Sequence, residues 1–399
     1  MLDSQTIQII KSTVPVLEVH GQAITTVFYK KLFIHHPELM NIFNHANQRQ
    51  GKQPAALAGA VYAAAANIDR LENILPVVKQ IGEKHRALNI LPEHYPIVGE
   101  TLLGAIKDVL GAAATPEIID AWEKAYQVIA DVFISVEAEM YRAAETAPGG
   151  WRGYRNFVID HRVEESSVIT SFYLKPQDGQ AISQYEPGQY ITLRVKPEGE
   201  SNTHIRHYTL SSAPGQPYYK ISVKREDAGA EKPAGIVSSW LHRHAEVGTV
   251  VELSAPAGSF TLDQESEKPL VLISGGVGLT PMISMLETVL VNQPERPVTF
   301  IHAAIDGSYH AMKEHVEKLA ADHKQLKSYV VYECPQEEEA CHKQGYIDIS
   351  FLRDKMDSSS DCYFCGPQAF MSSIFKDLKE LGVQEEQIHY EFFGPAGTL

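Results

Sequence analysis

The 399-residue chain is predicted to be multi-domain: an all-α segment, then an antiparallel β-barrel, then an α/β segment with a parallel sheet. Three observations predict this. Up to about residue 142 the chain consists of long Ala- and Leu-rich periodic stretches such as AALAGAVYAAAANI and AWEKAYQVIADVFISVEAEMY, a helical pattern. From about residue 153, short alternating runs separated by Gly/Pro turns take over. Beyond Leu262, hydrophobic runs are each followed by a helical stretch, the pattern of strand–helix units.

Length and composition agree with two or three globular domains: 44% of residues are hydrophobic and 21% charged. The net charge of −15 and the pI near 5.6 argue against non-specific binding to nucleic acid or an anionic membrane. The N-terminus has no basic region followed by an apolar stretch, and no run has the length of a membrane span. A cytoplasmic protein without membrane insertion is expected. No internal repeat or low-complexity segment is evident.

In the helical segment, Pro37, Pro92 and Pro116 are expected in first turns, where proline is tolerated. Within QIGEKHRALNI, Val78, Ile81, His85 and Leu88 recur at spacings of 3, 4 and 3, which places His85 on a core-facing stripe. The Pro/Gly-rich TAPGGWRG (146–153) marks a hinge. The expected domains are 1–142, a linker over 143–152, a barrel over 153–262 and an α/β domain over 263–399.

The barrel strands are read from SSVITSFYLKP, GQYITLRVKP, HIRHYTLSS, YYKISVKRE and GTVVELSAPAG. Arg206 and Tyr208 of RHYT stand two apart and so face one side of a strand; arginine reads phosphate, and tyrosine packs on a planar ring. GIVSSWLH opens a helix with Gly235, Ser238 and Ser239, where free N–H groups suit a pyrophosphate. In LISGGVGLTP a hydrophobic strand runs into Gly275, Gly276, Val277 and Gly278, then Leu279, Thr280 and Pro281 at a helix start. All four cysteines, Cys334, Cys341, Cys362 and Cys365, lie in the last fifth of the chain. Cys362 and Cys365 form a C-x-x-C, but residues three apart on a strand point to opposite faces, so structural thiols are expected rather than a metal or redox pair.

Taken in order, RHYT, GIVSS, GGVGLTP, CGP (365–367) and YEFFGP resemble the ferredoxin-NADP reductase superfamily over residues 153–399. The resemblance implies FAD in the barrel and NADH or NADPH in the α/β domain. It implies that Arg206 contacts the FAD pyrophosphate and that His207, Tyr208, Thr209 and Tyr190 belong to the flavin site, with Gly235, Ser238 and Ser239. Residues 275–281, with Cys365, Gly366 and Pro367, would hold the nicotinamide nucleotide. Phe393 would cover the flavin, and Glu391 would tune it.

Such a module feeds electrons to an acceptor. The first 333 residues contain no cysteine, which excludes an iron–sulfur acceptor in this chain, whereas haem needs only one good axial ligand. An all-helical unit of this size with one inward histidine fits a globin. FYKKLFIHHPELMNIFN, QPAALAGAVYAAAANI, KHRALNILPEHYPIVGE and VFISVEAEMY resemble the bacterial flavohaemoglobins, and with the C-terminal match the resemblance spans the chain. It implies haem b on proximal His85, a relay through Glu137 and Tyr95, and Tyr29 as hydrogen-bond donor in the distal pocket. Phe43, Gln53 and Leu57 would line the haem pocket, and Lys84 would tune its potential.

The implied activity is that of a nitric oxide dioxygenase, in which NAD(P)H reduces FAD, FAD reduces haem, and NO and O2 become nitrate. A haem reductase for quinones, peroxides or nitro compounds, and a gas sensor or O2 carrier, remain open at this point. The lack of an arginine in HAAIDG leans toward NADH, and a monomer is expected.

Overall fold

The computed structural model describes residues 2–43, 51–229 and 233–394. Chain contacts separate two compact units, one built on residues 1–154 with 194–206, the other on 155–193 and 207–393.

The first unit is helical. Helix α1 (Ser4–His35) starts under an Asp3 cap, whose carboxylate accepts from the Thr6 N–H. A 3-10 turn over Pro37–Ile42 leads to Phe43, and α2 spans Lys52–Ala66. Helix α3 (Leu75–Leu88), α4 (His94–Leu110) and α5 (Pro116–Thr146) follow. Phe28, Leu32, Ile106 and Trp122 from α1, α4 and α5 form the centre of the core. Helix α3 stops because Asn89 takes the left-handed conformation (φ 59°), a conformation that asparagine tolerates better than most residues.

One helical expectation is corrected. Pro37 and Pro116 do open helical turns, but Pro92 lies in the turn before α4. The Leu91 N–H donates to His94 Nδ1 (3.0 Å), which closes that turn and delays the helix by two residues. Of the α3 stripe, Val78 is buried and Ile81, His85 and Leu88 are half-buried; α5 packs on α3 around Val78 and Gly82.

The barrel sheet, most of which belongs to the second unit, has the order β4-β3-β6-β1-β2-β5. Its strands are β1 (Tyr154–Glu164), β2 (Ile169–Pro176), β3 (Tyr190–Val195), β4 (His204–Thr209), β5 (Tyr219–Lys224) and β6 (Val250–Ser254). Helix α6 spans Ile236–His244. The outermost strands meet through a Leu210–Ile221 bridge, which closes the sheet. Strand β1 is absent from the sequence reading. Of its residues only Phe157 and Ile159 are buried, and a register shift between Ile159 and His161 breaks the alternation that would reveal it.

The α/β part is a parallel sheet of order β10-β9-β8-β7-β11-β12. Strands β7 (Leu270–Gly275), β8 (Val298–Ala304), β9 (Leu326–Tyr332) and β11 (Asp361–Cys365) are its body. Strands β10 (Lys343–Gln344) and β12 (Ile388–Tyr390) are too short to carry a readable pattern. Helices α7 (Leu279–Asn292), α8 (Lys313–Asp322), α9 (Ile349–Lys355) and α10 (Gln368–Glu380) connect them. Ile169, Phe260 and Leu262 of the barrel pack in the same buried cluster as Leu270, Leu272, Met282 and Leu286, so barrel and sheet share a core.

Two buried histidines lie in this part of the chain, His302 in β8 and His310 after the short turn that follows it. His302 Nδ1 is 2.8 Å from Ser274 Oγ, and His310 Nδ1 is 2.8 Å from the Tyr332 hydroxyl. The two rings are 4.6 Å apart. Burial, with each ring beside another positive-going group, holds His302 well below its usual range and His310 at about 4. The unfolded chain therefore binds protons below pH about 6.5 that the native state refuses, so stability falls as pH falls. For His310 alone the loss between pH 7 and pH 5 is about 2 kcal/mol. Denaturant melts of the native protein and of His310→Gln at the two pH values should show a shallower pH dependence in the variant.

Candidate functional site

The helical unit concentrates its chemistry on Glu137. This carboxylate is 3% exposed, and an uncompensated buried carboxylate is costly. Two donors meet it: the Tyr95 hydroxyl gives its proton to Oε1 (2.7 Å), and His85 Nδ1 stands 2.7 Å from the same oxygen. His85 Nδ1 is also 3.3 Å from the Tyr95 hydroxyl. With Nδ1–H donated to the carboxylate, the His85 lone pair is on Nε2, which has no hydrogen-bond partner among the described residues. Burial, followed by the Glu137 charge, raises the Tyr95 phenol well above its ordinary value, so this hydroxyl stays a donor.

Second-row contacts fix the group. The Tyr126 hydroxyl donates to the Tyr95 carbonyl (2.6 Å), and the Tyr141 hydroxyl donates to the Ile90 carbonyl (2.7 Å), holding the end of α3. Tyr126 reaches its place because position 99 is glycine. A Cβ there would stand 2.5 Å from the Tyr126 ring. The Phe133 ring lies 6.0 Å from the His85 ring. Tyr126, Tyr141 and Gly99 escaped the sequence reading; the signal was a tyrosine eleven residues before Glu137 on the same helix and a glycine one turn after Tyr95.

The other predicted residues of this unit form an aromatic group on α1 and the segment after it. Tyr29 is buried, with the Phe28, Phe33 and Phe43 rings at 4.8, 6.0 and 5.7 Å. Gln53 and Leu57 lie half-buried in the first turns of α2, and Leu57 packs against the core that contains Tyr29. The start of α2 is tied to α1 by the Thr25 hydroxyl, which donates to the Pro54 carbonyl (2.8 Å), a contact without a sequence signal. Lys84 is half-buried on α3 beside His85. A tethered imidazole with a free Nε2, and a separate set of aromatic and apolar side chains around one tyrosine, fit a haem with one axial histidine.

In the barrel, alternation along β4 puts Arg206 and Tyr208 on one face and His207 on the other. His207 Nδ1 is 2.8 Å from Thr192 Oγ1, and its ring is 4.7 Å from Tyr190. Thr209 is buried. Gly235 precedes the first residue of α6, and Ser238 and Ser239 are buried in its first turn. Ser238 Oγ accepts from the Glu226 N–H (3.2 Å) and so ties the preceding segment to this helix start.

The glycine loop and CGP come together. Strand β7 has β8 on one side and β11 on the other, and the chain leaves β7 and β11 in opposite directions, so their carboxyl ends flank a topological switch point. Gly275, Gly276, Val277 and Gly278 end β7 and form a 3-10 turn; Leu279, Thr280 and Pro281 begin α7. Cys365, Gly366 and Pro367 end β11 beside them. A Cβ on Gly278 would lie 2.2 Å from the Cys365 carbonyl oxygen, whereas Gly276 (φ 55°) has nothing within 4 Å on its Cβ side. One glycine lets the two loops touch, and the other leaves the backbone open to approach. Glu391 follows β12, and its carbonyl accepts from the Cys365 thiol (3.4 Å). Phe393 is 52% exposed. These features fit a flavin nucleotide and a nicotinamide nucleotide.

Cys362 and Cys365 pack in different buried clusters on opposite faces of the sheet, and all four cysteines are free.

Comparison with known proteins gives the class. A globin family model matches residues 26–133, an oxidoreductase FAD-binding domain model matches 156–262, and an oxidoreductase NAD-binding domain model matches 272–376. The protein is therefore an oxidoreductase in which a globin is joined to an FAD- and NAD-binding module. A flavohemoprotein of Halalkalibacterium halodurans is 54% identical, over 100% of this chain and 98% of its own. The chain belongs to the flavohemoprotein family. Among solved structures, a flavohemoglobin from Malassezia yamatoensis with bound FAD and heme matches with a TM-score of 0.86 at 27% identity, over 98% of this chain and 100% of that one. The FAD/NAD-binding domain of a nitric oxide dioxygenase from Vibrio cholerae matches with a TM-score of 0.56 at 40% identity, over 60% of this chain and 99% of that one. Among the described residues, no helix is long and apolar enough to cross a membrane.

Burial pushes the Cys362 thiol up to about 12 and raises that of Cys365 strongly. A thiol-specific aromatic disulfide at pH 8 should therefore titrate two thiols in the native protein, those of exposed Cys334 and half-buried Cys341, and all four after denaturation.

Proposed function

We propose that the chain is a nitric oxide dioxygenase: electrons from NADH, with O2, convert nitric oxide to nitrate. The observation that carries this reading is the His85–Glu137–Tyr95 group, which holds an imidazole by Nδ1 and leaves Nε2 for a metal. When bound, the nicotinamide supplies an electron pair, the flavin divides it into single electrons, and the haem iron provides the O2 chemistry.

His85 would hold the haem iron through Nε2. Glu137 keeps the Nδ1 proton hydrogen-bonded and so raises the basicity of Nε2, and Tyr95 orients the carboxylate. A basic axial ligand favours oxygen activation over storage, which supports the dioxygenase over a carrier. The Tyr29 hydroxyl would donate a hydrogen bond into the distal pocket, which Phe43 and Leu57 would keep dry, and Gln53 would offer a second polar contact. Lys84, next to His85 on α3, would add positive charge near the bound haem.

Arg206 binds the flavin pyrophosphate, aided by the α6 start at Gly235, Ser238 and Ser239. Tyr190, His207, Tyr208 and Thr209 position the ring system, Glu391 tunes it, and Phe393 covers it. The loop 275–281 with Cys365, Gly366 and Pro367 seats the nicotinamide nucleotide. NADH is favoured because Asp306, at the end of β8, is a buried carboxylate accepting from the Ser308 N–H (2.8 Å), and a 2′-phosphate there would meet like charge. The substrates are small gases, and the chain acts as a monomer.

The test is stoichiometry. With NADH and O2, the purified holoenzyme should yield one nitrate per NO consumed; NO loss without nitrate would overturn the reading. Tyr29→Phe should speed O2 dissociation and lower nitrate formation by about 10²-fold, the scale of one lost donor at developing charge. Glu137→Gln should retain the haem absorption band but raise the iron reduction potential, as measured by spectroelectrochemical titration, because the axial nitrogen becomes less basic.

A further inference from the structure

One glycine lies inside the helix that carries His85. Gly82 is buried in α3, one turn before the histidine. Glycine is a poor helix residue, because it loses more backbone freedom on folding than any other. What it offers here is room for a neighbouring helix.

That helix is α5. A Cβ at position 82 would stand 3.0 Å from Met140 Sδ, 3.5 Å from Met140 Cε and 3.6 Å from Glu137 Cγ. Glu137 and Met140 are three apart on α5 and share a face, as Gly82 and His85 do on α3. The Glu137 side chain thus spans two positions of α3. Its Cγ lies over residue 82, and its carboxylate lies 2.7 Å from His85 Nδ1. One turn earlier, Val78 packs in an apolar cluster with Val132, Phe133 and Val136, which fixes the two helices against each other there.

The distances grade what a side chain at 82 would do. A carbon 3.6 Å from Glu137 Cγ is in ordinary contact, so a single methyl group leaves Glu137 in place. It presses only on the Met140 thioether, which is flexible and adapts. Atoms beyond that methyl group compete with the Glu137 stem for space. Glu137 is buried and is held by the Tyr95 hydroxyl and His85 Nδ1. A displaced carboxylate would lengthen one of these hydrogen bonds where no water replaces it.

We propose that Gly82 is a positioning residue for the His85 imidazole: its missing side chain sets how closely Glu137 approaches Nδ1, and through that hydrogen bond how basic Nε2 is. The inference rests on the ligand role proposed for His85, and its test needs no turnover.

The readouts are the iron–histidine stretching frequency of the reduced, ligand-free holoenzyme, by resonance Raman spectroscopy, and the iron reduction potential. Gly82→Ala should leave both unchanged. Gly82→Val should lower the frequency, raise the potential and release haem to apomyoglobin about tenfold faster, the lower end of what a lost partner of a metal ligand costs. Met140→Ala added to Gly82→Val vacates the thioether's space and should return both readouts toward the native values. Gly82→Cys, with one atom beyond the Cβ, replaces the valine variant if that protein takes up no haem, and should shift both readouts in the same direction. A glycine that served packing alone would change only the thermal midpoint. Native frequency and potential in the haem-bound valine variant, or in the cysteine variant standing in for it, overturn the proposal. An iron–histidine band that survives in His85→Ala strikes instead the ligand role beneath it.

Discussion

A carboxylate placed in an apolar interior has to find donors, and in this protein that requirement organises the helical unit. Glu137 is satisfied by the Tyr95 hydroxyl and His85 Nδ1 at 2.7 Å each. The demand reaches further out, since Tyr95 is held by Tyr126, which needs Gly99, and the end of α3 is held by Tyr141. Three helices are fixed by one negative charge, and the outcome is an imidazole with a defined tautomer. Position and hydrogen bonding of this imidazole are thus settled by packing, which is what the ligand role proposed for it needs.

The reductase unit solves a different problem with backbone rather than charge. In the site proposed here, a dinucleotide would have to approach the ends of β7 and β11 closely. Glycine at 278 removes the side chain that would strike the Cys365 carbonyl, and glycine at 276 leaves an open side. The two motifs are 87 residues apart in the chain but adjacent in the sheet, because β11 inserts on the free side of β7. The parallel order therefore gives the glycines their use.

The three architectures were legible in the sequence because period and turn composition are local signals: the runs around β2 to β8 and the long helices all read correctly. The His85–Glu137–Tyr95 relay was expected from the resemblance, but what holds it together, Gly99 and Tyr126, has a role that exists only in three dimensions. Strand β1 stayed hidden because its charged positions and its bulge blur alternation. Pro92 misled because a histidine side chain, rather than the proline, closes the turn before α4. The opposite orientation of Cys362 and Cys365 was readable, since a period of two allows no other result.

The shared core of the barrel and the parallel sheet has an evolutionary and practical consequence. Ile169, Phe260 and Leu262 are covered by Leu272, Met282 and Leu286 rather than by their own barrel. Cleaving the chain between residues 262 and 270 would leave a raw greasy surface on each fragment, prone to clumping. Gene fusion can exchange the electron acceptor at one end, but the two nucleotide-handling layers have to be inherited as a single cassette.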